Sequence, residues 1–167
     1  MTGRRPSIWK VLTDAEHVVV VQRLLRERPE VREEARRIAT SLLAQTKRSE
    51  VAREVRRAVE AVSTGDVAAR SGRQPGGGYV EASEAAWELL SAAVEPFVQR
   101  LRSLVDLRQP QAATEVGVGI LLGLSKVKGT DMCAVFFETD FITEEGAHVV
   151  AAMEEAGLGA DRAKDLV

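Results

Sequence analysis

The chain has very few cysteine and aromatic residues. Of its 167 residues one is a cysteine, Cys133, and only 4% are aromatic. A single cysteine excludes a disulfide within the chain and suits a reducing compartment. The longest uninterrupted apolar run, Val116–Leu124, has nine residues, whereas a membrane-spanning helix needs roughly 20. We therefore expect a cytoplasmic protein without a membrane partner.

The abundant residues are those of an ordinary helical protein. Hydrophobic residues make up 45% and charged residues 29% of the chain, which is typical of a globular domain and excludes a wholly disordered one. The net charge is −2 but it is unevenly distributed. Residues 1–75 hold 16 Lys or Arg and 10 Asp or Glu, and residues 76–167 hold 7 and 15. The basic part is thus a candidate for contact with an anionic partner, or with the acidic part of the same chain.

Residues 1–62 form the first predicted part, a basic segment of three helices. In each helix apolar residues recur every three or four positions, which places them on one face. The recurring residues are Val18, Val21 and Leu25, then Val31, Ala35, Ile38 and Leu42, then Val51, Val55, Val59 and Val62. Residues 63–79 contain five glycines and are predicted to be a flexible linker.

Residues 80–167 are predicted to hold three further helices that pack on the first segment, which makes one domain overall. The first of them contains Pro96, which should kink the helix without ending it, because the apolar periodicity keeps its phase on both sides. Its antiparallel partner begins at Pro110, and a last helix covers residues 144–156. The fold class is therefore all-α with about six helices, arranged as an antiparallel helical-hairpin bundle. The letters VQRL at Val21–Leu24 and Val98–Leu101 favour the alternative of a short helical-repeat-like array.

Two stretches of the sequence carry a resemblance to a known group of proteins. They are LLRERPEVREEARRIA at Leu24–Ala39, and the stretch that begins GYVEASEAAWELLSAAVEPF at Gly78 and continues to GVGILLGL at Leu124. They resemble the α-helical regions that accompany SWIM-type zinc fingers in bacterial proteins. The resemblance implies a helical, solenoid-like architecture and protein partners. The finger itself needs a Cys-x-Cys pair and a later Cys-x-His, so with Cys133 alone it is absent here.

A pair of glycines marks the segment after Pro110. Gly119 and Gly123 are four residues apart, and each glycine costs a helix interior roughly 1 kcal/mol against alanine. A close helix–helix contact would compensate for that cost, and Val116 and Ile120 would lie beside it. The neighbour is either the Ala-rich fourth helix, through Ala85, Ala92 or Ala93, or a second subunit. The two alternatives stay open.

Arginines mark the N-terminal helices as a candidate anionic-partner contact. The residues concerned are Arg32, Arg36, Arg53, Arg56 and Arg57. Such a stripe could neutralise phosphates of a nucleic acid. Acidic residues three or four positions away favour the other interpretation, ion pairs along a solvated helix face. In addition, no aromatic residue is interleaved with the arginines to stack on bases.

The motifs that would indicate an enzyme are sparse. Two acid-x-x-His patterns, which end at His17 and His148, resemble half of a di-iron bundle site that Glu88 or Glu115 would complete. We predict no catalytic residue, no cofactor and no metal site. The leading hypothesis is a non-enzymatic helical interaction or scaffold protein with a protein partner or with self-association. The alternative is a nucleic-acid-associated protein that uses the arginines, and the third hypothesis is a metal-dependent helical-bundle enzyme.

Overall fold

The computed structural model describes residues 8–73, 76–127 and 140–159. These residues contain seven α-helices, which confirms the predicted all-α class. The helices are Asp14–Glu27 (α1), Arg32–Leu43 (α2), Arg48–Glu60 (α3), Thr64–Arg70 (α4), Ala82–Asp106 (α5), Pro110–Ser125 (α6) and Asp140–Glu155 (α7). Two short strands, Gly72–Arg73 (β1) and Tyr79–Val80 (β2), pair in antiparallel register. Among the helices described, none combines the length and the apolar character that crossing a membrane requires.

The chain divides into two compact units, residues 1–42 (unit 1) and residues 43–167 (unit 2). The division differs from the predicted one, which separated residues 1–62 from residues 80–167 by a linker. The third helix belongs to unit 2, and the predicted linker contains α4 and the strand pair. The composition of this stretch gave no sign of α4, which begins with a capping box: the Asp66 amide donates to the Ser63 hydroxyl at 3.1 Å, and the Ser63 amide donates to the Asp66 carboxylate at 2.9 Å. Val67 of α4 is buried beside Ala85 and Ala86 of α5.

Unit 1 consists of α1, α2 and two single 3₁₀ turns, Ile8–Lys10 and Pro29–Val31. Thr13 caps α1 by a capping box in which the Glu16 carboxylate accepts the Thr13 amide at 2.8 Å. The Arg32 side chain donates to the Leu25 carbonyl at 2.7 Å, near the end of α1. These local hydrogen bonds pair backbone groups at the ends of α1 that have no partner within the helix. Not one of the described residues of unit 1 is buried.

Unit 2 is built around α6, which packs against α3, α5 and α7. Its residues Val116 and Ile120 are fully buried, and so are Val55 of α3, Leu101 of α5 and Val149 of α7. The apolar residues of α6 face neighbouring helices on several sides, which explains why this segment carries so little charge.

Helix α5 is continuous from Ala82 to Asp106 with Pro96 inside it, as the unbroken periodicity predicted. Its buried residues recur every three or four positions on both sides of the proline: Ala85, Ala86, Leu90, Val94, Val98, Leu101 and Leu104. Pro96 itself lies on the exposed side. The Ala92 carbonyl, which loses its amide partner to the proline ring, is on that exposed side too, where water can replace the bond.

Candidate interaction surface

The glycines of α6 provide a close contact with α3. A Cβ atom added at Gly119 would lie 2.6 Å from Val51 Cβ and 3.0 Å from the Arg48 carbonyl oxygen. One added at Gly123 would lie 2.7 Å from Val55 Cβ and 2.9 Å from the Ala52 carbonyl oxygen. Real Cβ atoms do not approach other atoms so closely, so only glycine allows the two backbones this separation.

The neighbour at these glycines is therefore α3, and the expectation that it would be α5 through Ala85, Ala92 or Ala93 was wrong. Periodicity shows which face of a helix is bare, but the partner of that face depends on the chain path between α3 and α6. Gly119 and Gly123 are buried within unit 2, as are Val116 and Ile120, each 0% exposed. These four residues leave no surface for a second subunit while α3 is in place.

A carboxylate of α6 secures the same contact. Glu115 accepts bonds from the Arg48 backbone amide at 3.0 Å and from the Arg48 guanidinium at 2.6 Å. Arg48 is the first residue of α3, and the preceding Lys47 gives no side-chain cap. Glu115 thus caps α3 from a neighbouring helix. The hydrogen bonds from the Arg48 side chain lower the pKa of Glu115 below its usual range.

The five candidate arginines are spread over the two units. Arg32 and Arg36 belong to unit 1, where Arg32 donates to the Leu25 carbonyl and Arg36 lies 4.0 Å from Glu33. In unit 2, Arg56 pairs with Glu60 at 2.7 Å. Arg53 and Arg57 are exposed on α3. The structure thus gives three of the five arginines partners within the chain, which fits a solvated helix face.

The acid-x-x-His motifs have separate environments. The His17 ring stacks on Trp9 at 6.0 Å and its Nε2 donates to the Trp9 carbonyl at 3.1 Å. His148 lies 3.8 Å from Glu145. The two carboxylates proposed to complete a metal site are engaged elsewhere, Glu88 by Arg70 at 2.7 Å and Glu115 by Arg48. Over residues 8–73, 76–127 and 140–159, no three His, Cys, Asp or Glu side chains gather as metal ligands would.

Glu145 stands in a half-buried polar cluster between α5 and α7. Its side chain is only 12% exposed. Burial raises the pKa of Glu145 and the negative charge of Glu95 adds to that rise, while His148 and Arg102 act in the opposite direction. Arg102 also borders an open groove of about 410 Å³ between the C-terminal parts of α5 and α7. The cluster thus contains charges of both signs, and among the described residues it does not form a group of metal ligands.

The exposed apolar residues are concentrated in unit 1. Of the eleven large hydrophobic side chains exposed in the described residues, nine belong to unit 1 and are between 48% and 75% exposed. We call them the unit 1 apolar surface: Ile8, Trp9, Val11, Val18, Val19, Val21, Leu24, Ile38 and Leu42. Isolated exposed apolar residues are ordinary, but such a concentration makes this part of the chain a candidate interaction surface.

The sequence pattern missed this surface, because it predicted that the same stripes would be buried in one bundle. One signal of it was present. The run of four valines, Val18–Val21, puts valines on more of the helix surface than a half-buried face needs. With about 100° between successive residues, Val18, Val21 and Leu24 lie on one side of α1, and Val19 lies on the opposite side.

The apolar side of α1 is wide and its polar side is balanced in charge. Half-buried Val20 and Leu25 complete the arc of Val18, Val21 and Leu24, which we call the α1 stripe. On the other side Arg23 pairs with Glu27 at 2.7 Å. A stripe of this width is typical of a helix that packs against others in a bundle rather than of a solitary surface helix.

The likeness to helical regions beside SWIM-type zinc fingers stays a prediction. Cys133, on which the absence of the finger was argued, lies outside the described residues. Comparisons of the chain with models of protein families, with curated proteins and with solved structures found no match.

Proposed function

We propose that this chain is a non-enzymatic interaction protein that presents the helices of unit 1 to a protein partner, while unit 2 serves as a stable base. The observation that carries the proposal is the unit 1 apolar surface. Nine large apolar side chains are exposed within residues 8–42, and not one described residue there is buried.

Energetics support a partner. Helices of 14 and 12 residues are marginal by themselves in water, because most helical stability in proteins comes from packing of an apolar face. Ordering each backbone residue costs roughly 1–2 kcal/mol. The hydrogen bonds of unit 1 are exposed and local, and they contribute little against that cost. Burial of the apolar side chains against a partner would supply the stabilising free energy that unit 1 lacks by itself.

Charge favours a protein over a membrane or a nucleic acid as the covering partner. Residues 8–42 contain seven Lys or Arg and six Asp or Glu, and ion pairs such as Arg37 with Glu34 join many of them. Anionic lipid surfaces and phosphate backbones both select an excess of positive charge. A balanced polar face beside an apolar stripe is what helix–helix packing between proteins requires.

Native mass spectrometry of the full chain, purified from its own host after mild cross-linking, tests the proposal. The wild-type chain should retain a protein, either a second copy or another chain. Leu24→Glu should lose it, since the new carboxylate lies in the α1 stripe. Leu107→Glu is the matched control, because Leu107 is an exposed leucine of unit 2, at 61%. A chain that carries no protein, or equal retention by both variants, would contradict the proposal.

A further inference from the structure

We propose that the partner of unit 1 is a second copy of this chain, and that the two α1 helices pack antiparallel about a two-fold axis near Val21. This inference rests on the proposed function, and it adds the identity of the partner and the geometry of the contact.

The area of the unit 1 apolar surface fits a dimer. Without Val19, which lies on the opposite side of α1, the seven other aliphatic residues and Trp9 have exposures that correspond to about 350–650 Å² of apolar area per chain. A stable interface of standard size buries about 800 Å² on each partner, of which roughly 56–65% is apolar. One copy therefore supplies what one side of such an interface needs.

The α1 stripe is compatible with itself under two-fold symmetry. In a two-fold contact the same patch serves both chains, so a residue before the axis meets a residue after it. With Val21 on the axis, Val18 lies opposite Leu24 of the second copy. Both are branched apolar residues, and their exposures are similar, 55% and 48%. The half-buried Leu25 then lies opposite His17, whose ring stacks on the ring of Trp9.

Charge at the two ends of the stripe supports the antiparallel direction. Asp14 is the first residue of α1 and Arg28 is its C-cap, and a spacing of about 100° per residue places both positions on the side of the stripe. They are equally far from Val21, so each Asp14 would lie opposite Arg28 of the second copy. Arg28 contacts Glu30 within its own chain, but its side chain is 63% exposed and can reach across. Antiparallel packing also aligns the helix dipoles favourably, whereas a parallel pair would bring Asp14 against Asp14.

Sedimentation equilibrium of the full chain over a range of concentrations tests the dimer, since the monomer has a mass of 18.2 kDa. We expect a mass twice that value for the wild type. Val21→Glu should weaken association by at least about 100-fold, because it brings two carboxylates together on an apolar axis. Glutamate has a higher helix propensity than valine, so circular dichroism should show unchanged helicity. The matched control is Val19→Glu on the opposite side of α1, which should leave the mass unchanged.

Charge exchange tests the direction of packing. Asp14→Arg and Arg28→Glu should each weaken the dimer about tenfold, since two symmetry-related pairs become repulsive. The double variant should regain the wild-type affinity. Single variants that weaken the dimer without rescue by the double variant would overturn the antiparallel arrangement.

Two further outcomes separate this inference from the proposed function. A chain that stays monomeric at every concentration, yet loses a different protein on Leu24→Glu in the host, overturns the second copy and leaves the proposed function standing. A dimer that Val21→Glu and Val19→Glu affect equally overturns the α1 contact.

Discussion

Units 1 and 2 have helices of similar length but differ in what their apolar side chains contact. Helix α2 of unit 1 has 12 residues and α3 of unit 2 has 13, and both show a regular apolar stripe. In α3 the stripe residues Val51, Val55 and Val59 are buried, whereas in α2 Ile38 and Leu42 are at least half exposed. A regular stripe therefore defines a helix without showing whether a neighbour covers it.

The two units also differ in how they hold charge. In unit 2 the pair of Glu115 and Arg48 joins two helices and caps one of them. In unit 1 the pairs Arg23–Glu27 and Arg37–Glu34 lie within single helices and are largely exposed. Pairs of the second kind contribute little to stability. Unit 2 is thus stabilised by contacts between elements, and unit 1 by contacts within them.

The strongest test of this contrast exchanges matched leucines for alanine. Leu101→Ala in unit 2 should lower the free energy of unfolding by about 2–5 kcal/mol, because it leaves a cavity in the core. Leu24→Ala in unit 1 should change it by less than about 0.5 kcal/mol, at concentrations where the chain is monomeric. Urea unfolding, followed by Trp87 fluorescence in a Trp9→Phe background, measures both values. Trp87 packs edge-on against Phe141 at 5.1 Å and therefore reports on unit 2. A cost of several kcal/mol for Leu24→Ala would show that unit 1 is covered within its own chain.

A smaller loss of stability is expected when the close contact between α3 and α6 in unit 2 is disturbed. Gly119→Ala should destabilise the protein by about 1–3 kcal/mol despite the better helix propensity of alanine, because its Cβ would overlap Val51. Gly65→Ala is the control. Its Cβ would meet only the Ser63 hydroxyl at 3.5 Å, so the change should be neutral or stabilising by up to about 1 kcal/mol. Thermal unfolding of both variants decides whether the glycine on α6 has a packing role.

Charge contacts of unit 2 should respond to pH. The pKa of Glu115 is lowered by Arg48, so its contribution to stability is present above the ordinary glutamate pKa and is lost as the pH falls through the lowered value. Glu115→Gln should therefore cost about 1 kcal/mol at pH 7 and approach no cost in acid. In unit 1, Glu34→Gln removes an exposed pair and should have no measurable effect at either pH. Equal pH dependence of the two variants would remove this difference between the units.

The smallest predicted effect is a gain in stability, whereas Leu101→Ala, Gly119→Ala and Glu115→Gln should each cause a loss. The pKa of Glu145 is raised by burial, so the ionised carboxylate opposes folding at a pH above its raised pKa. That opposition disappears when the pH falls below the ordinary value. Glu145→Gln should accordingly raise the melting temperature slightly at pH 7 and leave it unchanged in acid. A lower melting temperature at pH 7 would show that the contact with His148 outweighs the burial of the carboxylate.

Local patterns account for much of the fold. Six of the seven described helices were predicted, five of them from their apolar stripes, and α5 continues through Pro96 as the unchanged phase of its stripe indicated. The pattern missed α4, because seven residues within a Gly-rich stretch show little periodicity. The predicted parts divide the chain after residue 62, where the composition changes, whereas the contacts divide it after Leu42.

The candidate surface was less predictable than the fold. Gly119 and Gly123 were recognisable as a close contact, but their partner, α3, is more than 60 residues away in the chain. The pairing of Glu115 with Arg48 spans a similar separation and has no local signature. The arginines stood out in the sequence, yet three of them have partners within the chain. The periodicity of α1 predicts that its valines are core residues, whereas Val18, Val19 and Val21 are at least half exposed.

The sequence by itself determined the helical class, the positions of the stripes and the bare side of α6, because these follow from the spacing and size of neighbouring side chains. Only the tertiary structure decided which stripes are covered, since coverage depends on distant segments. In unit 2 those segments converge on α6. In unit 1 the α1 stripe is exposed. A helix face whose spacing in the sequence predicts a core position is therefore the surface at which we propose that the partner binds.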